Sequence, residues 1–168
     1  MAIQSALTGH LVFSTLHTND AASAITRLLD LGIEPYLIAS SLIGVLAQRL
    51  VRQVCPRCAR PLEPSTDDLR RLGLNAPPPV SAGPVMRAAV GCDDCRQTGY
   101  SGRLGIFELL LLDDAIRARV QDRSTSADLK STAAACGMRT LRDDGIAKAF
   151  AGKTTIEEVL RVTMRSGE

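Results

Sequence analysis

Aromatic residues are scarce in this chain of 168 residues, where they make up 3%, and tryptophan is absent. The core must therefore be built from leucine, isoleucine, valine and alanine. Apolar runs are short as well, and none reaches the roughly 18 residues that a membrane-spanning helix needs. The N-terminus lacks the basic-then-apolar plan of a secretory signal. These absences exclude a membrane span, and an apolar content of 45% argues against disorder along the whole chain.

An excess of charge of either sign is missing too. Twenty basic and 18 acidic residues give a formal net charge of +2, which is too balanced to predict a nucleic-acid binder. The distribution is uneven, because residues 49–60 contain four arginines and no acid. Arginine outnumbers lysine by 17 to 3. This bias indicates either planar, bidentate contacts or a GC-rich coding sequence.

The five cysteines form two closely spaced pairs and a single residue. Two residues separate Cys55 from Cys58 and Cys92 from Cys95, and 33 residues lie between the pairs. Without a secretory signal we predict a reducing compartment, where disulfides are rare. Two such pairs can place four thiolates about 2.3 Å from one Zn²⁺ in a closed shell with a structural role. Cys136 follows three alanines and is predicted to be a small core residue.

Two other interpretations of the cysteine pairs stay open. They could be unrelated turns that remain reduced, or they could belong to a zinc ribbon that binds nucleic acid. The ribbon has the same spacing, but stacking aromatic residues and a dense basic face are lacking here. We therefore predict a structural zinc ion and expect no nucleic acid as a partner.

The first 50 residues have the pattern of an α/β domain. Residues 11–16 form a near-continuous apolar and β-branched run, which predicts a buried parallel strand. Residues 17–20 offer several helix N-caps in a row, and a helix is predicted over 21–31. Pro35 begins a second predicted helix, which runs to about Gln48. A strand followed by two helices is typical of the late part of an α/β sandwich.

The remaining residues change in character twice. Residues 55–100 combine both cysteine pairs with many prolines and predict a small inserted module, with an irregular loop near 73–90. Strand composition returns at 103–112. Four helices are predicted to follow: one after Asp113 and Asp114, one after the cap Ser126, one over 139–150, and one whose capping box starts at Thr155. The chain therefore divides into three predicted parts, 1–54, 55–100 and 101–168.

Polar residues flank the predicted strand 11–16. His17, Thr18 and Asn19 follow it, at the end where open parallel sheets bind ligands. His10 lies seven residues before His17, or roughly 23 Å in an extended chain. The two histidines are therefore not expected to touch the same ligand atom. The residues alone leave both a ligand site and a structural role open.

The run TGHLVFSTLHTND at 8–20 closely resembles the His box of the ATPases that drive type II secretion and type IV pili. Other segments resemble the same family in the same order: LAQRLVR at 46–52, the two cysteine pairs, TGYSGRLGIFEL at 98–109, LRDDG at 141–145 and TTIEEVLRV at 154–162. In having the cysteine module, the chain resembles the secretion and pilus-assembly branches of the family. The retraction ATPases lack this module. Residues 19–24 and 38–45 resemble the secretion branch most.

The resemblance implies an α/β fold with three parts. Residues 1–54 would be the C-terminal part of a RecA-like P-loop ATPase core, 55–100 a tetracysteine zinc module, and 101–168 a return strand with a C-terminal helical bundle. It also implies a homo-hexamer at the cytoplasmic face of the bacterial inner membrane. The implied partners are the platform proteins of the secretion or pilus machine.

Nucleotide-side residues follow from the same resemblance. His17 is the first candidate and His10 the second for a position near the γ-phosphate, where an imidazole would sense the phosphate that hydrolysis removes. The further candidates for nucleotide binding are Thr18, Asn19, Arg49 and Arg52. The two arginines equally fit surface positions at the end of a helix.

The glycine-rich phosphate loop of the family has no counterpart here. Gly152, Lys153 and Thr154 match the last letters of that motif, but Ala147 stands where its first glycine is required. We therefore expect ATP and Mg²⁺ to act only in the context of a longer chain, and the 168 residues alone to be inactive. Residues 11–16 would then lack neighbouring strands and expose an apolar face.

Two other functions remain open. The chain could be a non-catalytic, zinc-stabilised module that joins or modulates a full-length motor. The zinc-ribbon binder of nucleic acid is the second alternative.

Overall fold

A computed structural model describes residues 2–76 and 86–164, and the chain divides into two compact units. Unit 1 contains Met1–Ala47 and Glu108–Thr140, and unit 2 contains Gln48–Phe107 and Leu141–Glu168. Both units combine helices with strand residues, so the predicted mixed α/β class is confirmed. The predicted three-part division and the RecA-like assignment stay predictions.

Unit 1 is mainly helical. Its helices are α1 (Ala2–Leu7), α2 (Ala21–Asp30), α3 (Pro35–Ser41), α5 (Asp114–Gln121) and α6 (Ser126–Ala135). Strand β1 (Gly44–Val54) begins in unit 1, and strand β4 (Tyr100–Leu111) ends there; the two strands pair in a two-stranded sheet. The core of the unit lies where α2 and α3 pack with α5, α6 and the end of β4: it includes Ile25, Ile38, Leu110, Ile116 and Leu129.

Unit 2 contains the rest of β1 and β4, a 3₁₀ helix at Asp93–Cys95 and five other short elements. These are β2 (Arg60–Pro61), α4 (Thr66–Leu72), β3 (Arg87–Ala88), α7 (Leu141–Phe150) and α8 (Ile156–Thr163). Strands β2 and β3 are antiparallel and pair Arg60 with Ala88 and Pro61 with Arg87. A second apolar core joins α4, α7 and α8, and it includes Leu72, Ile146, Phe150, Ile156 and Val159.

The predicted strand over 11–16 is wrong. Residues 10–18 lie outside any helix or strand, and Leu11 and Phe13 are 71% and 88% exposed. A strand needs a neighbour that satisfies its backbone groups. In the described part of the chain, the strands pair with one another instead, β1 with β4 and β2 with β3. The predicted exposure of this apolar face is confirmed.

The predicted second helix is too long. Helix α3 ends at Ser41, the backbone turns extended at Leu42, and β1 occupies the residues up to Val54. Residues 45–51 alternate between more and less exposed positions, as a half-buried strand does. Pairing with β4 outweighs the helical spacing of the apolar residues, since strand preference depends on tertiary neighbours.

The C-terminal helices are confirmed with shifted starts. The N-cap of α6 is Thr125 instead of Ser126, and α7 begins at Leu141 instead of Arg139. Cys136 is exposed at the end of α6, so its predicted core position is wrong. The predicted loop near 73–90 begins at Gly73, the C-cap of α4, and contains strand β3. Its residues 77–85, with the proline run 77–79, lie outside the described residues.

Helices α7 and α8 approach closely at Gly145. A Cβ atom added there would lie 2.7 Å from Cγ1 of Val159, and Val159 is fully buried. We expect Gly145→Ala to lower the free energy of unfolding by about 1–3 kcal/mol, because the packed core cannot accept the methyl group. Denaturant unfolding measures the loss. A Gly145→Ala, Val159→Ala double variant should lose less than the sum of the single changes, and strict additivity would contradict the clash.

Candidate functional site

The four paired cysteines lie together in unit 2. Their sulfur atoms are all within 4.8 Å of one another, so the cluster can bind a metal ion. The Sγ–Sγ distances are 4.0 Å for Cys55 and Cys92, 3.9 Å for Cys58 and Cys95, and 3.7 Å for Cys92 and Cys95. A tetrahedral zinc ion with bonds of 2.3 Å separates its sulfurs by about 3.8 Å. The donor set and its size therefore fit zinc.

Backbone pairing brings the two cysteine pairs together. The β2–β3 pairing joins the segments that follow Cys58 and precede Cys92. The Cys55 N–H donates to the Gly99 carbonyl at 2.9 Å, which ties the first pair to the residues after the second. Gly99 has φ +75°, and a Cβ atom there would lie 2.7 Å from Ala89. Only glycine fits this close approach, so Gly99 supports the cluster although the cysteine spacing does not reveal it.

Backbone N–H groups point at two of the sulfurs. Gly91 donates to Cys58 Sγ at 3.3 Å, and Cys92 and Gly99 each donate to Cys95 Sγ at 3.2 Å. Burial would raise the pKa of the Cys95 thiol, but hydrogen bonds from the two backbone donors and from the Cys92 and Cys58 thiols outweigh it and lower that pKa to about 6. The thiolate is the form that binds a metal, so the surroundings of Cys95 favour the metal-binding state.

The charged residues near the cluster contribute little. Arg57 pairs with Asp94 at 3.2 Å, but the two side chains are 71% and 53% exposed. An exposed ion pair of this kind contributes about 0–1 kcal/mol. This ion pair therefore adds little to the stability of the cluster.

The segment 17–20 leads into helix α2 of unit 1. His17 and Asn19 are exposed, Thr18 is half-buried, and Asp20 is buried as the N-cap of the helix. The Thr18 hydroxyl donates to the Asp20 carbonyl at 3.3 Å. His10 is exposed and its Nδ1 lies 3.1 Å from the hydroxyl of Thr8. The nucleotide-side role of these residues stays a prediction.

The Arg52 side chain contacts two other residues of unit 2. Its guanidinium lies 2.7 Å from the carboxylate of Glu158 and 4.1 Å from the ring centroid of Tyr100. The side chain is nevertheless 49% exposed. Arg49 lies on the same strand and is half-buried. Their predicted nucleotide contacts remain predictions.

Sequence reasoning missed two fully buried carboxylates, Glu108 and Glu158. Glu108 lies on the same buried face of β4 as Ile106 and Leu110, whereas the residues between them are exposed, and this period of two was a usable signal. Glu158 follows Thr155 by three residues, which predicts a capping box. The Thr155 hydroxyl does accept from the Glu158 N–H at 3.4 Å, but the Glu158 carboxylate binds arginines instead.

Asp20 caps helix α2 through two contacts. Its carboxylate accepts from the Ser23 N–H at 2.8 Å and lies 3.3 Å from Lys130 Nζ. We expect Asp20→Ala to lower the free energy of unfolding by about 0.5–2 kcal/mol. Asp20→Asn should keep most of the stability, because the amide oxygen still accepts from Ser23. Thermal unfolding measures both variants, and equal losses would show that the cap contributes nothing.

The fold and the site define a mixed α/β protein with a cluster of four cysteines that lie close enough to bind a metal ion. The family model described as Type II/IV secretion system protein matches residues 1–161. The chain therefore belongs to this family of secretion system proteins, and the resemblance seen in its motifs is confirmed.

Relatives of known function include three secretion or pilus proteins. Type II secretion system protein E of Pseudomonas aeruginosa is 48% identical over 163 residues, which is 97% of this chain and 32% of the relative. Type IV pilus assembly ATPase PilB of Thermus thermophilus is 49% identical over 98% of this chain and 18% of the relative. Type II secretion system ATPase E of Vibrio cholerae is 46% identical over 99% and 32%. The chain thus spans a third or less of each relative.

Among the described residues, no helix is both long enough and apolar enough to cross a membrane.

Proposed function

We propose that this chain is the C-terminal portion of a hexameric motor ATPase that powers type II protein secretion or, as the second possibility, type IV pilus assembly. The family match over 1–161 carries the proposal. A relative named for type II secretion and a relative named for type IV pilus assembly each match nearly the whole chain, at 48% and 49% identity. The motor would work at the cytoplasmic face of the inner membrane, with the platform proteins of that machine as partners.

Residues 1–54 would form the last part of a RecA-like core. Their exposed apolar residues support this, since Leu11, Phe13 and Leu16 are 71%, 88% and 42% exposed. An apolar surface of this kind is normally covered. In the longer motor, neighbouring strands of the core sheet would cover it, and the phosphate loop that binds ATP with Mg²⁺ would lie outside these 168 residues.

The residues next to that apolar run would sense the nucleotide. His17 is the main candidate and His10 the second, and Thr18 and Asn19 would contact the same ligand. The exposure of His17 and Asn19 supports this role because their side chains are accessible to a ligand. Arg49 and Arg52 would add positive charge, and the half-exposed guanidinium of Arg52 remains accessible to an anion.

The cysteine cluster would hold one structural zinc ion. Four thiolates close the coordination shell and leave no position for a substrate. The ion would fix the turns at 55–58 and 92–95 and present their surface to a membrane-platform partner. The zinc-ribbon alternative predicts binding to nucleic acid that weakens steeply with salt.

A chimera tests the proposed function. These residues would replace the matching 163 residues of the Pseudomonas aeruginosa relative, in a strain that lacks that protein. We expect the chimera to restore secretion and its His17→Ala variant to accumulate equally but fail. The exposed change Arg119→Ala on α5 is the control. A hexameric chimera that does not secrete, or a fully active His17→Ala variant, would contradict the proposal.

The missing phosphate loop supports a second candidate, a non-catalytic module that joins a full-length motor. Both candidates predict that the purified 168 residues release no phosphate from ATP and Mg²⁺ above the blank. Co-purification of the chain with an intact motor hexamer would favour the module. Measurable turnover by the pure chain would contradict both.

A further inference from the structure

Glu108 is a fully buried carboxylate that the proposed function does not use. It lies on β4 with 0% exposure, two residues from Leu110, which is also 0% exposed and belongs to the core of unit 1. Burying a carboxylate among apolar side chains is costly unless hydrogen bonds compensate it. We therefore expect the Glu108 carboxylate to accept a hydrogen bond from a donor that has no other partner.

That partner is the first turn of helix α2. The Ala21 N–H donates to Glu108 Oε1 at 2.9 Å, between residues that are 87 positions apart. Ala21 is the first residue of α2, where N–H groups have no partner within the helix. The positive end of the helix dipole also favours a negative charge there. Asp20 satisfies another donor of the first turn, the Ser23 N–H, so two carboxylates hold this turn.

The turn is also where the chain changes from exposed to buried. His17 and Asn19 are exposed, whereas Ala21 and Ala22 are 0% exposed. Because Ala21 directly follows Asp20, a contact that holds Ala21 in place also holds the end of the segment 17–20. We infer that Glu108 is a positioning residue for His17, Thr18 and Asn19, because it holds the helix start from which they project. The functional part of this inference rests on the proposed nucleotide-sensing role of His17.

Two conservative variants separate this role from simple core filling. Glu108→Gln keeps the length of the side chain and an acceptor oxygen but removes the charge. Glu108→Asp keeps the charge but is one methylene shorter and cannot reach the Ala21 N–H without movement. A positioning role predicts that Gln preserves the local order and Asp loses it. A purely electrostatic role predicts the reverse.

The test uses NMR of the full 168-residue chain without nucleotide. His10 and His17 are the only histidines, so each ring gives a resolved probe. We expect Glu108→Asp to raise the exchange rate of the Ala21 amide about 10- to 100-fold, as expected for the loss of a hydrogen bond to a charged acceptor. The NMR signals of the His17 ring should shift, and those of the His10 ring, which contacts Thr8, should not change. Glu108→Gln should raise the Ala21 exchange rate less than Glu108→Asp does, because it keeps the hydrogen bond and loses only the charge.

Leu110→Ala is the matched control, since it removes a buried side chain from the same strand without touching the hydrogen bond. It should lower the melting temperature and leave the signals of the His17 ring unchanged. The inference is overturned if Glu108→Asp leaves Ala21 and His17 unchanged, if Leu110→Ala loosens His17 equally, if Gln behaves like Asp, or if Glu108→Asp unfolds the whole chain. A chimera that fails to secrete would remove the proposed function but would not alter this result.

Discussion

Purified chain is expected to contain one zinc ion, and a strong chelator should unfold the cysteine module while unit 1 stays folded. The reason is that β2 and β3 contribute only two residues each, so the pairing of 55–61 with 86–100 depends on the four thiolates. Metal binding and folding are coupled in sites of this kind, with apparent free energies of about 10–16 kcal/mol in zinc-finger peptides. Metal analysis together with hydrogen exchange of the module measures the effect.

Serine variants provide the matched comparison. Cys92→Ser removes one ligand and should abolish stoichiometric zinc and the protection of the module. Cys136→Ser changes an exposed cysteine outside the cluster and should retain both. If the chain binds no zinc, or if Cys92→Ser keeps one ion per chain, the proposed centre is wrong.

Replacement of Glu158 is expected to give the second large effect. Its carboxylate is 1% exposed and accepts from the Arg52 backbone and guanidinium at 2.9 and 2.7 Å. Arg161 adds two donors at 2.8 Å. Glu158→Gln leaves two guanidiniums without their anion and should lower the free energy of unfolding by about 3 kcal/mol. This is the low end of the range for broken buried pairs, because both arginines are about half-exposed.

The same network predicts a pH dependence. Burial would raise the pKa of the Glu158 carboxyl, but hydrogen bonds from Arg161 and Arg52 outweigh it and lower the pKa from 4.5 to about 2. The folded state therefore binds the proton more weakly than the unfolded state. The stabilisation is complete above pH 4.5 and is lost as the pH falls towards 2, by about 3 kcal/mol in total.

Denaturant unfolding between pH 2 and 7 measures this dependence. Glu158→Gln should lack the component between pH 4.5 and 2. Glu157→Gln changes an exposed neighbour on α8 and is the control that should keep it. Parallel pH profiles for the unmodified chain and Glu158→Gln would show that the arginines do not stabilise the ionised carboxylate.

Local chemistry made the metal cluster predictable from the sequence. Two residues between cysteines are enough to place both thiolates on one ion, and sulfur distances of 3.7–4.0 Å confirm the grouping. The helix caps at Asp20 and Thr155 were predictable for the same reason, because a cap joins residues three positions apart.

Long-range contacts were not predictable in this way. The contact between Glu158 and Arg52 joins residues 106 positions apart, and no local pattern specifies it. The error at 11–16 has the same origin, since β-branched residues permit a strand but only a partner creates one. Residues 44–48 were predicted to be helical, but pairing with β4 makes them part of strand β1. The spacing of apolar residues therefore indicates a local helix or strand pattern. Which strands pair depends on contacts that form only in the folded chain.

The size of the native product tests most directly whether these residues belong to a motor ATPase. Intact-mass measurement in the source cells, or a blot with an antibody against the cysteine module, would give it. Since the chain spans 18–32% of its relatives, the account predicts a product roughly three to five times longer that contains these residues. A stable product of 17.9 kDa would contradict the motor assignment and leave the zinc-stabilised module as the function.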